Sequence, residues 1–442
     1  MWLKSLHVEN FRGFEKLDVT FDEHVTLLVG GNGAGKTAVL EAITVAFGSY
    51  FSKINQGPTV RIEADDARRV VFEFGQPPVP DLQEQWPVTV RATAALEGLS
   101  AIRGQHNIFD ELTWWREREE RAGRTSRIGD TEMQELASHV QDAVMEGLPV
   151  PLPVVAYYGT QRLWREKRQT EAKRGLGTRL DGYIDCLDIA SSERLLRDWM
   201  RQKTFEEVQQ QQPDASYRHP QLRAVIAAVE GCIDNVADLR FDLVHQEIRM
   251  RIGTAFQSFS MLSDGYRNMI AMVADIAERA AVLNPQFGAD AARETSGVVL
   301  IDELDLHLHP KWQRSVLPSL RRTFPKMQFI ATTHSPQVLA SVARNQVRLF
   351  DDNRLIEAGL FVEGRSANEL LEDVFGVPAR PPATKADLDE LFALIDDGDF
   401  AAARKKLSTL EERLGRDDGD IVRARWILES EAGSEPAAPI AS

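Results

Sequence analysis

The chain has 442 residues, enough for about three domains or for one large domain with insertions. Its 43% hydrophobic and 27% charged residues are ordinary for a globular protein and exclude collagen-like, mucin-like and wholly disordered chains. The 67 acidic and 52 basic residues give a net charge of −15. Such a surface repels the nucleic-acid backbone as a whole, so any contact with nucleic acid needs a local basic patch.

The cysteine content and the hydropathy pattern bear on the compartment. Cys186 and Cys232 are too few for a disulfide scaffold or a cysteine-based zinc hook, and they fit a reducing cytosol. Charged residues interrupt every stretch long enough to span a membrane, and the amino end lacks the apolar core of a secretion signal. These patterns predict a cytoplasmic protein without membrane contact.

A glycine-rich loop follows the third predicted strand. Residues 2–8 and 17–21 alternate with the period of strands, and residues 25–29 form a mostly apolar, β-branched run. A helical pattern follows at 38–47. Between this strand and this helix lie, in order, Gly30, Gly31, Asn32, Gly33, Ala34, Gly35, Lys36 and Thr37. The spacing fits the phosphate-binding pattern G-x-x-x-x-G-K-[ST] in the strand–loop–helix context that it requires.

The residue types of this loop suit a polyphosphate. A loop that wraps phosphates points successive backbone N–H groups inward, and glycine adopts the necessary backbone angles at the least cost. The amino end of the next helix adds positive potential. Lys36 is therefore predicted to contact the outer phosphates, and the Thr37 hydroxyl to bind Mg²⁺.

The middle of the chain is less informative. Residues 60–74 and 88–96 alternate as strands and are predicted to extend the sheet of the first lobe, whereas 110–146 is predicted to be largely helical. Residues 154–158 are predicted to form a buried strand. Residues 162–179 hold seven Arg or Lys against two Glu. A solvated helix face and a contact with DNA, RNA or a partner both remain open for this stretch.

The last third adds polar residues at predicted strand and helix ends. Ser263 and Gly265 precede a helical pattern and are expected to open a helix whose amino end attracts anions. Asp302 and Glu303 end an apolar strand, where the first carboxylate can hold Mg²⁺ and the second can polarise water. His334 follows the next apolar strand and is placed to hydrogen-bond a terminal phosphate.

The tail predicts three amphipathic helices at 386–395, 400–414 and 421–431, with Gly and Asp marking their ends. They form a small acidic unit, for which packing on the rest of the protein and docking of a partner both remain open. Residues 433–442 are predicted to be disordered.

Taken in order, the segments GGNGAGKT, LSDGYRN, VVLIDELD and TTHSP resemble the ABC-type ATPase head of RecF, SMC and Rad50 proteins. The run DLHLHP at 305–310 resembles stand-alone AAA-type defence ATPases. Within that group, the chain is most similar to the ATPase subunits of Septu and retron-associated Septu-like systems. The resemblance implies an α/β P-loop NTPase. Its mixed sheet would be like that of an ABC-ATPase head, with a helical insertion and a C-terminal helical tail.

This resemblance also implies residue roles and ligands. ATP would bind to Gly30 through Thr37, and Thr37 and Asp302 would serve Mg²⁺. Glu303 would be the general base. Ser263 and Gly265 would contact the γ-phosphate of a nucleotide held by another subunit, and Asp305 would lie at the subunit junction. His334 would sense the γ-phosphate, and Arg12 would lie near the nucleotide. Gln161 would contact Mg²⁺ and the attacking water. Asp264 and Tyr266 stand where transporter-type ABC proteins have Gly and Gln, so the details of the γ-phosphate contact are expected to differ.

The implied domain order is an N-terminal lobe at 1–161, a helical insertion at 162–235, a C-terminal lobe at 236–365, and the acidic tail at 366–432. The implied function is an ATPase that forms at least a dimer and regulates a separately encoded HNH nuclease in anti-phage defence. Two alternatives stay open. One is a RecF-like DNA-binding clamp that uses residues 162–179, and the other is a scaffold that binds ATP and hardly hydrolyses it.

Overall fold

The computed structural model describes residues 1–75, 78–96, 111–126, 129–160, 177–188, 193–356 and 362–432. The chain divides into two compact units, Met1–Leu370 and Leu371–Ser442. The predicted lobe and insertion boundaries stay a prediction. The predicted disorder of 433–442 falls outside the described residues, as does most of the basic stretch at 162–179.

The strands are β1 (Trp2–Phe11), β2 (Phe14–Thr20), β3 (Val25–Gly30), β4 (Arg69–Phe74), β5 (Val79–Glu84), β6 (Val88–Ala95), β7 (Glu111–Arg118), β8 (Val154–Tyr158), β9 (Val236–Asp242), β10 (Glu247–Ile252), β11 (Ala255–Ser258), β12 (Gly297–Ile301), β13 (Met327–Thr332), β14 (Val347–Asp351) and β15 (Arg354–Ile356). The helices are α1 (Lys36–Phe51), α2 (Thr131–Met145), α3 (Glu193–Gln211), α4 (Pro220–Cys232), α5 (Asp264–Leu283), α6 (Ala291–Glu294), α7 (Pro310–Thr323), α8 (Pro336–Leu339), α9 (Ala367–Asp373), α10 (Pro382–Asp396), α11 (Phe400–Leu414) and α12 (Gly419–Ala432).

A six-stranded sheet in the order β15-β14-β3-β13-β12-β8 organises the first unit. All neighbours in it are parallel except the edge pair β14 and β15. Every residue of β3, β8, β12 and β13 is buried, as expected for parallel strands that are covered on both faces. Parallel strands end at one edge of a sheet, so the residues that follow β3, β12 and β13 lie together there. This arrangement confirms the predicted α/β fold of a P-loop NTPase.

Helix α1 packs against this central sheet and against a second, antiparallel sheet in the order β2-β1-β6-β7. Trp114 of β7 is fully buried, and its Nε1 donates to the carbonyl of Ala46 at 2.8 Å. Arg116, also on β7, donates from Nη1 to the carbonyl of Val45 at 2.8 Å. The antiparallel sheet therefore holds the helix that begins at Lys36 from the side away from the central sheet.

Two predictions for the middle of the chain were wrong. The sequence predicts a largely helical segment at 110–146. Instead, residues 111–118 form strand β7, and helix α2 begins only at Thr131. In β7 every second side chain is buried through the central residues, and this period of two is that of a half-buried strand. Within 60–74 only Arg69–Phe74 is a strand, and it pairs with β5 in a separate hairpin without extending the first sheet. The strand predicted at 88–96 does join that sheet, as β6 beside β1.

The second unit contains the three predicted tail helices, here α10, α11 and α12. The three helices pack around one shared hydrophobic core, which includes Leu388, Leu391, Leu407, Leu410 and Ile421. The carboxylate of Asp399 accepts from the backbone N–H of Ala402 at 3.1 Å, so it caps α11 as its position predicts. Among the described residues, no helix is long and apolar enough to cross a membrane.

Candidate nucleotide site

The glycine-rich loop connects the end of β3 to the start of α1, and packing explains two of its glycines. A Cβ on Gly30 would lie 2.1 Å from the carbonyl oxygen of Phe350, in the neighbouring strand β14. Gly35 has a φ of 95°, and a Cβ there would lie 2.4 Å from Cζ of Phe14. In contrast, a Cβ on Gly31 or Gly33 would meet nothing within 4 Å. The loop is thus closely backed by protein on one side and open on the other, where a polyphosphate would bind.

Lys36 supplies a buried cation at this loop. Its side chain is 7% exposed, and Nζ donates to the carbonyls of Gly30 at 2.9 Å and Gly31 at 2.7 Å. Burial lowers the pKa of Lys36, while the carboxylates of Asp302, Glu303 and Asp305 oppose that shift. An ammonium group held by neutral carbonyls at an open loop is well placed to bind phosphate oxygens.

Thr37 and Asp302 meet beside the loop, as the predicted metal site requires. Thr37 Oγ1 donates to Asp302, at 3.2 Å from Oδ1 and 3.1 Å from Oδ2, and the Asp302 side chain is almost fully buried. A hydroxyl and a carboxylate are the hard oxygen ligands that Mg²⁺ prefers, usually with waters and substrate phosphates completing its coordination. In the described residues no cluster of three or more His, Cys, Asp or Glu side chains is arranged to hold a metal. The pairing of the Thr37 hydroxyl with the Asp302 carboxylate fits a Mg²⁺ ion that binds together with a nucleotide.

Glu303 is held in a backbone conformation that is unusual for its residue type. Its φ is 48°, in the left-handed region, which costs a residue with a side chain about 1 kcal/mol or more. The backbone N–H of Glu303 donates to Thr332 Oγ1 at 2.7 Å, and the N–H of Leu304 donates to the Thr332 carbonyl at 2.9 Å. Strand β13 thus fixes the turn that follows Asp302 and directs the half-buried Glu303 carboxylate.

Thr332 itself is absent from the sequence prediction. Its hydroxyl also donates to Asp302 Oδ1 at 2.7 Å, and the residue is fully buried. The one signal that points to it is a threonine that ends an otherwise apolar buried strand next to the acidic one. Asn353 is a second missed residue, because its Oδ1 backs the loop 2.9 Å from where a Gly35 Cβ would lie.

His334 and Asp305 adjoin the same edge of the sheet. Asp305 Oδ1 accepts from Thr333 Oγ1 at 2.6 Å and from the backbone N–H of His334 at 3.3 Å. Burial and then the charge of Lys36 lower the pKa of His334, while three carboxylates, those of Asp302, Glu303 and Asp305, oppose them. The lowered pKa favours the neutral imidazole, which can donate one hydrogen bond and accept another.

Ser263 and Gly265 lie at the start of the 20-residue helix α5. Ser263 is the exposed N-cap residue, yet its side chain makes no capping hydrogen bond. Gly265 is packed so closely that a Cβ would lie 2.4 Å from the carbonyl oxygen of His307. Tyr266 packs edge-to-face on Trp312, with ring centroids 4.0 Å apart. The turn after Glu303 thus positions the amino end of α5, which faces solvent with N–H groups available to an anion.

Arg12 and Gln161 complete the set of predicted residues. Arg12 forms ion pairs with Glu41, on α1, and with Asp66, whose Oδ1 is 3.1 Å from Nε. Burial raises the pKa of Glu41, and Arg12 opposes the shift. Arg12 therefore lies beside the helix that follows the loop, with its guanidinium on two carboxylates. Gln161 lies outside the described residues, three positions after the end of β8.

Comparisons with known proteins agree with this geometry. A family model described as an AAA domain matches residues 5–230, and a second AAA domain model matches 160–340. The chain is 26% identical to the Retron Ec83 probable ATPase of Escherichia coli, over 96% of this chain and 86% of that protein. It is 24% identical to the Retron Vc95 probable ATPase of Vibrio cholerae, over 79% and 73%. It is also 24% identical to the Septu protein PtuA of Bacillus thuringiensis, over 85% and 84%. The similarity thus extends well beyond the phosphate loop.

Proposed function

The chain belongs to the AAA domain family and is an ATPase, and we propose that it is the ATP-hydrolysing subunit of a cytoplasmic antiviral defence complex. In this complex at least two copies share nucleotide sites and control a separately encoded HNH nuclease. The observation that carries the proposal is the convergence of Lys36, Thr37, Asp302, Glu303 and His334 at one sheet edge. The similarity to retron and Septu ATPases over most of the chain supports the defence assignment.

The site supports a division of roles in hydrolysis. The backbone N–H groups of the loop and Lys36 Nζ bind and orient the triphosphate, and Lys36 exchanges its carbonyl partners for phosphate oxygens. Thr37 and Asp302 would hold Mg²⁺, which when bound neutralises charge on the phosphate oxygens. Glu303 orients the attacking water and accepts its proton. His334 donates a hydrogen bond to the terminal phosphate.

A second copy would complete each site. Ser263 is exposed and its hydroxyl is not used to cap its own helix, so both the hydroxyl and the amino end of α5 remain available to a phosphate. No described hydrogen bond joins Ser263 to the loop of its own chain. Because Gly265 packs on His307, movement of the turn that carries Glu303 and Asp305 shifts the amino end of α5. Binding across two copies would therefore be linked to the catalytic turn.

A mixing experiment tests the shared site. Lys36→Met and Ser263→Arg are each expected to abolish hydrolysis, because the first removes the phosphate cation and the second blocks the surface offered to the partner. In a mixed dimer one site combines Lys36 of one copy with Ser263 of the other, and the second site carries both defects. Random mixing should restore about a quarter of wild-type activity. Activity that never exceeds the sum of the two separate variants contradicts a shared site.

The nuclease assignment needs its own experiment. The reading frame next to the one for this chain is first checked for an HNH nuclease. The complex of that nuclease with this chain is then assayed for DNA and RNA cleavage without nucleotide, with ATP and Mg²⁺, and with a non-hydrolysable ATP analogue. We expect cleavage to differ between nucleotide states, and Glu303→Gln to fix it in the ATP-bound pattern. Cleavage that is the same in every state refutes regulation by this subunit and leaves its ATPase activity intact.

A further inference from the structure

A segment rich in basic residues stands out in this acidic protein. Residues 306–350 contain seven Lys or Arg and no Asp or Glu, whereas the whole chain carries a net charge of −15. A segment of 45 residues without one carboxylate is a strong local departure from that balance. The cations are Lys311, Arg314, Arg321, Arg322, Lys326, Arg344 and Arg348.

Helix α7 gathers four of these cations on one face. Its exposed positions are Pro310, Lys311, Arg314, Pro318, Arg321 and Arg322. These positions recur every three or four residues and so form a single stripe along the helix. Lys311 and Arg322 are 11 residues apart, which is about 16 Å along a helix axis. Apart from two prolines, every exposed position on α7 is therefore positively charged.

The side chains of this stripe are not neutralised by the protein. Arg314 contacts the neutral amide of Gln337, and Arg322 donates from Nη2 to the carbonyl of Gly231 at 3.0 Å. Within the described ranges, Lys311, Arg314, Arg321 and Arg322 form no ion pair. Two carboxylates have other partners, since Glu294 pairs with Lys326 at 2.5 Å and Asp22 Oδ1 accepts two backbone N–H groups. Exposed Asp234 lies close enough for its charge to act on Cys232, as that of Arg322 does, but it forms no ion pair with the stripe in the part of the chain that the structure describes. The stripe thus presents four cations that no carboxylate pairs with.

A cavity of about 330 Å³ opens at the carboxyl end of the stripe. Arg321, Arg322, His24, Ser341 and Gln346 supply its polar lining, and apolar side chains such as Val25 and Leu317 form its walls. Val25 begins β3, whereas the nucleotide loop follows the last residue of that strand. The cavity therefore lies at the opposite edge of the central sheet from Lys36 and is not part of the ATP site.

We propose that the basic face of α7, with this cavity, is a nucleic-acid-binding surface. A row of guanidinium and ammonium groups without ion-pair partners matches the repeated phosphates of a strand, and arginine binds phosphate in a planar, bidentate manner. The cavity suits one nucleotide of that strand, because it joins two arginines to an apolar wall on which a sugar or base can pack. The inference stands apart from ATP hydrolysis, since it uses no residue of the nucleotide site.

Fluorescence anisotropy with labelled 30-nucleotide probes tests the proposal, using single-stranded DNA, duplex DNA and RNA of one sequence. Affinity is measured in full-length protein from 50 to 200 mM salt. The variant K311Q/R314Q/R321Q/R322Q is expected to bind at least about tenfold more weakly at 100 mM salt. For four lost phosphate contacts, the slope of log affinity against log salt should become shallower by about 2.8 with single-stranded probes and by about 3.6 with duplex DNA. The pair R321Q/R322Q should cost more than K311Q/R314Q because it also alters the cavity.

Matched controls separate this surface from general charge and from the ATPase. R404Q/K405Q removes two exposed cations from α11 and should leave affinity and slope unchanged. The α7 variants should keep wild-type ATP binding, whereas Lys36→Met should lose ATP binding and keep nucleotide-free oligonucleotide affinity. The proposal is overturned if no probe binds at 50 mM salt, or if the α7 and control variants behave alike. Equal competition by poly-glutamate of matched charge also overturns it, in favour of an acidic protein partner.

Discussion

The hydroxyl oxygen of Thr332 lies 2.7 Å from Oδ1 of Asp302 and is the acceptor for the backbone N–H of Glu303, also at 2.7 Å. One buried side chain thus fixes the orientation of the predicted Mg²⁺ carboxylate and the backbone of the predicted general base. Glu303 is held in a left-handed conformation, so this contact helps to offset the strain that directs its carboxylate.

Thr332→Val is expected to reduce hydrolysis without loss of the fold. Valine has the same shape but cannot form either hydrogen bond, so the Glu303 N–H loses its acceptor. The bond to the charged Asp302 carboxylate alone is worth roughly 1.5–3 kcal/mol. We expect kcat to fall about tenfold or more, while ATP affinity in EDTA stays close to wild type. Steady-state kinetics together with binding of a fluorescent ATP analogue measure the two effects separately.

Two further variants make the Thr332 prediction specific. Thr332→Ser keeps the hydroxyl and should restore most of the lost kcat. Thr323→Val alters another buried threonine, on α7, and should leave kcat unchanged. If Thr332→Val and Thr332→Ser are equally impaired, the effect comes from packing and the positioning role is wrong.

Glu303→Gln is expected to stop hydrolysis and to preserve ATP binding. The amide keeps the size of the side chain but cannot accept a proton from the attacking water, so kcat should fall by two orders of magnitude or more, within the range for loss of a general base. Retention of labelled ATP on the purified protein is the second readout. A scaffold that hardly hydrolyses ATP would show the same slow turnover in both proteins. Glu23→Gln, at an exposed glutamate, is the control and should match wild type.

The residues that could be predicted from sequence are those whose chemistry is local. The loop from Gly30 to Thr37 could be predicted because only glycine tolerates the close contacts at positions 30 and 35. These two positions therefore appear in the sequence as glycines at a fixed spacing. Thr332 and Asn353 were missed because their roles come from strand order, which places β13 beside β12 and the β14–β15 turn against the loop. Strand β7 was mistaken for helix because its many charged residues obscure a buried alternation around Trp114.

Lys36→Met should separate nucleotide binding from folding. The variant keeps the length of the side chain and removes a buried charge whose burial is unfavourable, so the unfolding free energy without nucleotide should be unchanged or higher. Nucleotide affinity should fall by about two orders of magnitude. Thermal unfolding with and without MgATP measures both, because a bound ligand stabilises the native state. A variant that is still stabilised by MgATP as strongly as wild type contradicts the role of Lys36.

Glu278→Gln should change how stability depends on pH. Burial, and then the charge of Asp275, raise the pKa of Glu278 to about 8, with Arg279 and Lys203 opposing them. The native state therefore keeps a proton that the unfolded chain releases above about pH 4.3, so wild-type stability is lost as pH rises from there to about 8. Relative to Glu278→Gln, the wild-type free energy of unfolding should decline by roughly 1 kcal/mol per pH unit across this window. Denaturant unfolding at pH 5, 6.5 and 8 measures the difference, and a difference that is constant with pH would show that Glu278 is ionised in the folded protein.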